Sequence, residues 1–115
     1  MSSRKHNALS VQNQVAAIDK FIARPFDREV AICRLWIDRF AVRCSEVQFV
    51  NSDLQFRLAV ARWLFDVARV RRTISREAFA AAARELMLAR CETPKGVYYG
   101  LRPKRVFKWR RPETL

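Results

Sequence analysis

Apolar residues recur at three- to four-residue intervals through most of the chain, which predicts a helix-rich fold. The first helix is predicted over residues 8–23. It ends before Pro25, because proline disfavours helical geometry at the preceding residue. Only two of the 115 residues are glycines, so we expect few tight turns. The apolar stripe of the first helix consists of Val11, Val15, Ile18 and Ile22.

The next two predicted helices are apolar on most sides. The second covers residues 27–44, with little surface left for water. The third follows Ser52, which with Gln55 has the spacing of a capping box, and extends to about Arg71. We expect this third helix to lie at the centre of the core. Its apolar positions are Leu54, Leu58, Ala61, Phe65 and Ala68, with Val60, Leu64 and Val67 beside them.

A fourth helix is predicted over residues 76–90. Ser75 is its expected N-cap, since a serine hydroxyl can accept a hydrogen bond from a free N–H group of the first turn. Ile74 and Phe79 have the spacing of a hydrophobic staple, in which two apolar side chains hold the start of a helix. Both side chains are therefore expected in the core.

Alternating patterns predict three short strands. Residues 46–50 alternate between polar and apolar side chains, and residues 97–101 and 105–109 resemble a hairpin around a turn at 102–104. The order of helix, strand, helix, helix and hairpin is that of a winged helix, a helix-turn-helix followed by a β-hairpin. A mainly α domain that joins an N-terminal helix to such a unit is our prediction, and a four-helix bundle with a basic tail is the alternative.

The length and composition indicate one domain. With 115 residues, half of them hydrophobic, the chain is long enough to bury a single core. We predict a disordered N-terminus at residues 1–7, the domain at residues 8–111 and a C-terminal tail at residues 112–115.

A large excess of positive charge changes the functional picture. The chain carries 23 lysines and arginines against 11 acidic residues, a formal net charge of +12. Such an imbalance favours a polyanion or an acidic surface as partner. Seven of the basic residues lie between Lys95 and Arg111, where there is no acidic residue and aromatic side chains are interspersed. This basic segment is the strongest functional signal in the sequence, because cations can contact phosphates while aromatic rings stack on bases.

Two further positions could contact nucleic acid. Arginines surround Ser75, where the predicted helix start has free N–H groups that could hold a phosphate. The alternative there is that Ser75 only caps the helix and that the arginines complement the negative end of the preceding helix. Arg84 is the one obvious base-reading residue of the fourth helix. The full set of candidate contacts is Arg72, Ser75, Arg76, Arg84, Lys95, Tyr98, Arg102, Lys104, Arg105, Lys108, Trp109, Arg110 and Arg111.

Catalysis finds no support in the sequence. The single histidine, His6, lies near the N-terminus, and the two glycines cannot form a phosphate-cradling loop. The cysteines Cys33, Cys44 and Cys91 lack zinc-site spacing, which indicates reduced thiols in a cytoplasmic, nucleoid or nuclear setting. We expect no enzymatic activity, cofactor or metal, and no apolar run reaches the length of a membrane span.

The sequence therefore predicts a non-enzymatic nucleic-acid-binding accessory or regulatory protein that acts through phosphate contacts of the basic C-terminal segment. DNA is favoured over RNA as its ligand. The alternative is an adaptor or inhibitor that docks an acidic protein through the same cationic surface. The stripe of Val11, Val15, Ile18 and Ile22 is a candidate homodimer contact, unless it packs on the chain's own core.

Overall fold

Four helices and two small antiparallel sheets form the described part of this chain, which in the computed structural model is residues 3–104, with side chains from Val11 onward. The helix-rich prediction is confirmed. The helices are α1 (Ser3–Phe21), α2 (Pro25–Phe40), α3 (Asp53–Ala68) and α4 (Arg76–Glu85). The strands are β1 (Ala41–Arg43), β2 (Arg90–Thr93), β3 (Gly96–Tyr99) and β4 (Leu101–Pro103).

The core is organised around a chain of buried aromatic rings. Trp36 on α2 lies 6.0 Å from Phe56 on α3, measured between ring centroids. Phe56 in turn stacks on Phe79 of α4 at 5.9 Å, and Phe79 lies 5.4 Å from Tyr99 of β3. All four side chains are at most 1% exposed. These contacts connect three helices to the hairpin strand through large apolar surfaces.

The helix caps follow the local sequence closely. Gln55 Oε1 accepts a hydrogen bond from the Ser52 backbone N–H at 2.9 Å, one of the two bonds of the predicted capping box. Ser75 Oγ accepts from the Ala78 N–H at 3.1 Å, so Ser75 is the N-cap of α4. Ile74 and Phe79 are both buried, as the predicted staple requires. These features depend on residues a few positions apart, which explains why the sequence predicts them.

The helix ends differ from the predicted ones where tertiary contacts intervene. Helix α2 ends at Phe40 and not at residue 44, because residues 41–43 extend to pair with β4. Helix α4 ends at Glu85 and not at residue 90, since Met87 adopts a left-handed conformation with φ of 58°. Its N–H donates to Arg84 O, and the Leu88 N–H donates to Ala83 O, a Schellman motif that stops the helix.

The predicted strand at residues 46–50 is wrong. This stretch is an irregular loop in which Phe49 and Val50 are 59% and 68% exposed. The strand between the second and third helices is β1, which runs antiparallel to β4 with Val42 opposite Arg102. A strand of three residues leaves no periodicity in the sequence, and its existence depends on a partner about sixty residues away.

The hairpin also differs from its prediction. Strands β2 and β3 pair antiparallel, with Arg90 opposite Tyr99, around a two-residue turn at Pro94 and Lys95. The predicted strand 97–101 thus overlaps β3 and β4, but its hairpin partner precedes it in the chain. The strand predicted at 105–109 lies outside the described residues.

Helix α3 differs from the predicted central helix in the face that it buries. Phe56, Val60, Trp63 and Leu64 are buried, whereas Leu54 and Leu58 are 50% and 51% exposed. The prediction that these two leucines belong to the core is wrong. Helix α3 is therefore apolar on two sides, and only one of them faces the core.

Gly100 joins β3 to β4 at a point where the backbone of another segment is too close for any side chain. A Cβ atom at this position would lie 2.5 Å from the Cys44 carbonyl oxygen. The same residue donates its N–H to Ala89 O and accepts from the Cys44 N–H, both at 2.8 Å. Gly100 therefore holds the end of the hairpin against the loop that follows β1.

We predict that Gly100→Ala lowers the free energy of unfolding by about 2 kcal/mol, because the backbone of Cys44 must move to admit the methyl group. Thermal unfolding followed by circular dichroism should show a melting temperature lower by roughly 5–10 °C. Ser45→Ala, at an exposed position next to Cys44, is the control and should leave the melting temperature unchanged. Equal melting temperatures for Gly100→Ala and the parent protein would contradict this account.

Candidate nucleic-acid interface

Three of the candidate contacts are exposed cations around the C-terminal end of α4 and the strands that follow. Arg84 lies in the last turn of α4, Lys95 lies in the turn of the β2–β3 hairpin, and Arg102 lies in β4. All three side chains are exposed. Among the described residues, no carboxylate forms an ion pair with any of them. These cations are consequently free to meet an external anion.

Tyr98, a predicted stacking residue, is half-buried on the outward side of the hairpin. Its ring lies 5.3 Å from that of Phe49, at an interplanar angle of 51°. Tyr98 also forms an isolated bridge to Ser52, next to the start of α3. The adjacent Tyr99 faces inward and is 1% exposed. The exposed Phe49 thus pairs with the half-buried Tyr98, a contact that the sequence did not reveal because residues 46–50 were assigned to a strand.

Lys104 is occupied by contacts within the fold. Its Nζ donates to the carbonyl oxygen of Asp38 at 3.2 Å, and its backbone N–H donates to Phe40 O at 2.8 Å. Both oxygens belong to the last turns of α2, where a positive charge is favourable. Lys104 therefore fastens the end of β4 to the end of α2, and its side chain is half-buried.

The start of α4 does not present free N–H groups at Ser75. Its backbone N–H donates to Oε1 of Glu29 on α2 at 3.0 Å, and its hydroxyl accepts from the helix itself. Arg76 Nε lies 3.3 Å from Oδ2 of Asp53, a carboxylate that is 2% exposed. The groups that the sequence suggested for a phosphate are thus satisfied by carboxylates of this chain.

Arg72 shows the same arrangement. Its Nη2 lies 3.7 Å from Oδ1 of Asp19 on α1. An incoming phosphate at this end of α4 would meet Asp19, Glu29 and Asp53, and like charges repel. Ser75 is thus the helix N-cap, as in the alternative interpretation, whereas Arg72 and Arg76 have carboxylate partners that this interpretation did not include.

Burial decides the ionisation of two side chains in this region. Burial raises the pKa of Tyr99, while the neighbouring Arg90 guanidinium opposes the rise, so the hydroxyl stays protonated. Burial raises the pKa of Cys33 to about 12, with the carboxylate of Glu29 adding to the effect. A thiol with such a pKa is a poor nucleophile at neutral pH.

The described residues form neither a metal site nor a membrane span. No group of three histidine, cysteine or acidic side chains that could hold a metal ion occurs among them. None of the helices in residues 3–104 combines the length and the hydropathy needed to cross a membrane.

Part of the stripe proposed for a homodimer contact is buried within the chain itself. Val11 and Val15 are 7% and 2% exposed and belong to the core cluster, whereas Ile18 and Ile22 are half-buried. Helix α1 contacts α2 and α3. Val11, Val15 and Ile18 thus pack on the chain's own core, as in the alternative that the sequence left open, and the homodimer stays a prediction.

The remaining candidates, Arg105, Lys108, Trp109, Arg110 and Arg111, lie outside the described residues and stay predictions. The carboxylates of Glu29 and Asp53 were missed in the sequence. Glu29 lies 46 residues before the N–H group that it accepts, so no local spacing could identify the contact. No protein-family model, curated protein or solved structure matches this chain, so its function is inferred from the residues themselves.

Proposed function

We propose that this protein is a non-enzymatic nucleic-acid-binding accessory or regulatory protein with a winged-helix-like arrangement. The observation that carries the proposal is the placement of Arg84, Lys95 and Arg102. These exposed cations have no carboxylate partner among the described residues, and they lie on the last turn of α4, in the β2–β3 turn and on β4. Cations without such partners suit contact with a phosphate backbone.

The connectivity of the helices and strands supports the winged-helix interpretation. From α2 onward the order is helix, strand, helix, helix and hairpin, and β1 pairs with β4, the strand that continues from the hairpin. In this arrangement α3 and α4 correspond to the helix-turn-helix pair, and the β2–β3 hairpin corresponds to the wing. The α3–α4 connection spans residues 69–75, longer than the three to four residues typical of a helix-turn-helix.

The chemistry of α4 favours contacts to the nucleic-acid backbone over reading of bases. Arg84 can make a paired contact with guanine, but the exposed Glu77 on the same helix would be repelled by phosphates. Glu85 pairs with Arg34 at 2.9 Å, so its charge is compensated within the fold. One base-reading arginine supports little sequence specificity, and binding should depend mainly on salt.

The test is fluorescence anisotropy of the full chain with labelled duplex DNA, single-stranded DNA and structured RNA at several salt concentrations. We expect the triple variant Arg84→Ala, Lys95→Ala, Arg102→Ala to bind duplex DNA at least about tenfold more weakly at low salt. The slope of log affinity against log salt should become shallower by about 2–3, because each lost phosphate contact contributes about 0.9.

The matched control removes the same charge elsewhere, through Lys20→Ala, Arg24→Ala and Arg62→Ala, three exposed positions outside α4 and the strands. At about 100 mM salt this control should stay within about threefold of the parent affinity, since charges more than about 10 Å from the nucleic acid are then screened. Equal losses in the two triple variants would contradict the assigned surface. If no polymer binds above about 100 mM salt, the proposal fails and an acidic protein becomes the preferred ligand of the cationic surface.

A further inference from the structure

Helix α3 carries a second apolar stripe beside the one that enters the core. Leu54 and Leu58 are 50% and 51% exposed, and Ala61, Phe65 and Ala68 are half-buried, the two alanines packing against the edge of the core. Their spacing of four, three, four and three residues is that of the a and d positions of a heptad repeat. Such a seam runs along one side of the helix, and about half of each leucine is open to solvent in the described part of the chain.

The shape of the seam fits another helix. The larger side chains Leu58 and Phe65 alternate with the alanines 61 and 68, so that protruding residues alternate with shallow depressions. Helices pack by placing side chains of one into the depressions of the other. A lipid surface needs no such alternation, because acyl chains adapt to any apolar relief.

The positive charges beside the seam favour a partner with negative charge. Arg62 and Arg69, which lie at e positions of the repeat, are both exposed. The Arg69 and Arg71 guanidinium groups lie 5.5 Å and 4.8 Å from the centroid of the Phe65 ring, so cations surround this end of the seam. Asp66 is the acidic residue of the same turn. Charges at such flanking positions choose between partner helices.

A second copy of this chain is a poor occupant. Two copies packed along the seam would bring Arg62 and Arg69 of each close to those of the other, and both chains carry a net charge of +12. Like-charge juxtaposition opposes such pairing. An acidic helix compensates the same arginines.

We propose that the outer face of α3, formed by Leu54, Leu58, Ala61, Phe65 and Ala68, docks an acidic amphipathic helix of a partner protein. The partner places leucine-like side chains on the seam and carboxylates opposite Arg62 and Arg69. None of these five residues is one of the proposed cationic contacts Arg84, Lys95 and Arg102. The proposal therefore does not depend on nucleic-acid binding, and a protein that binds both would connect its partner to a nucleic acid.

The probe is a labelled synthetic helical peptide of about three heptads with leucine at a and d and glutamate at e and g. Its matched control has the same composition in scrambled order, which keeps the charge but removes the apolar face. We expect the full chain to bind the helical peptide at least about tenfold more tightly than the scrambled one, as measured by fluorescence anisotropy near physiological salt.

Two variants locate the binding surface. Leu58→Glu should weaken binding of the helical peptide at least about tenfold, and the neutral double variant Leu54→Ala, Leu58→Ala should weaken it about fivefold. Met87→Glu introduces the same charge at a side chain that is 89% exposed on another surface, and it should bind the peptide as the parent does. Affinity for duplex DNA should stay within about twofold in the Leu58→Glu variant and in the double-alanine variant, which separates this proposal from the previous one.

Several results would overturn the proposal. Equal affinity for the helical and scrambled peptides would show attraction by charge alone. Unchanged peptide binding in the Leu58→Glu and double-alanine variants would place the peptide elsewhere. If the parent protein sediments as a dimer and Leu58→Glu dissociates it, the seam binds a second copy of the chain. If the parent protein pellets with anionic vesicles and, of the variants, only Leu58→Glu abolishes pelleting, the seam binds a membrane.

Discussion

Replacing Asp53 by alanine should lower the free energy of unfolding by about 3 kcal/mol, because the substitution leaves a largely buried guanidinium without its carboxylate. Asp53 is 2% exposed, and its Oδ2 lies 3.3 Å from Nε of both Arg57 and Arg76. Neither contact has the alignment of a hydrogen bond, so the interaction is mainly Coulombic. Arg57 also donates to Ile74 O at 3.2 Å, which extends the network into the α3–α4 connection.

The position of Asp53 adds to this effect. It lies in the first turn of α3, where a negative charge interacts favourably with the helix N-terminus. The Arg76 side chain is 58% exposed, so water compensates part of the interaction that Arg76 loses when its carboxylate partner is removed. The expected destabilisation therefore lies at the low end of that for breaking a buried ion pair.

Urea denaturation followed by tryptophan fluorescence measures the change. Asp53→Asn keeps the volume of the side chain and isolates the contribution of its charge. Asp66→Ala, at an exposed position on the same helix, is the control and should change the unfolding free energy by less than about 0.5 kcal/mol. If Asp53→Ala and Asp66→Ala unfold at the same urea concentration, the network has no net stabilising effect and the prediction is wrong.

Trp36→Ala should cost about 4 kcal/mol of unfolding free energy, since it removes the largest fully buried side chain and leaves a cavity. Trp36 is fully buried on α2, and its ring centroid lies 6.1 Å from that of Phe40 and 6.0 Å from that of Phe56. Small domains are stable by about 5–15 kcal/mol, so the variant should retain little of its folded population on mild heating.

Trp36→Phe retains an aromatic ring and should cost about half as much as the alanine variant, which keeps the prediction testable if Trp36→Ala does not fold. Phe21→Ala is the aromatic control, because Phe21 is 76% exposed, and it should change stability by less than about 0.5 kcal/mol. Differential scanning calorimetry compares the three proteins. A melting temperature of Trp36→Ala equal to that of Phe21→Ala would contradict the assigned core.

Both predictions concern how α4 and the hairpin are held, and therefore how the candidate cations are positioned. The aromatic chain from Trp36 to Tyr99 connects α2 to β3, and Asp53 connects the start of α3 to the start of α4. Conservative variants such as Asp53→Asn and Trp36→Phe should weaken nucleic-acid binding only as far as they loosen these elements. Variants at Arg84, Lys95 and Arg102 should weaken it without a loss of stability, because those side chains are exposed.

Helices and their N-terminal caps were predictable because their determinants are local. Ser52 with Gln55, and Ser75 with the start of α4, are close in sequence and make the expected cap contacts. The stop at Met87 was missed, since a left-handed residue at a helix end is usually glycine and the sequence has methionine there. Arg69 ends α3 in the same conformation, with φ of 56°, and was missed for the same reason.

The candidate site was only partly predictable. Exposed cations such as Arg84, Lys95 and Arg102 follow from composition, because an arginine or lysine without a partner stays in water. Composition does not reveal the carboxylates that contact Ser75, Arg72 and Arg76, since each acidic residue lies far away in sequence or on another helix. A cluster of basic residues in a sequence therefore does not show that their charges are available to a ligand, because acidic residues from distant parts of the chain can pair with them.

The sequence by itself determined the number of helices, the positions of their N-caps and the excess of positive charge, because these depend on composition and on residues within one or two turns. Only the tertiary structure decided which face of α3 enters the core, that the short strand begins at Ala41 and not at Glu46, and that the hairpin forms before Gly100. A strand needs a partner from a distant part of the chain, and an apolar helix with two equivalent faces can bury either one. Packing against Trp36 determined which face of α3 is buried, and pairing with β4 determined where the short strand lies. As a result, Leu54 and Leu58 stay about half exposed to solvent.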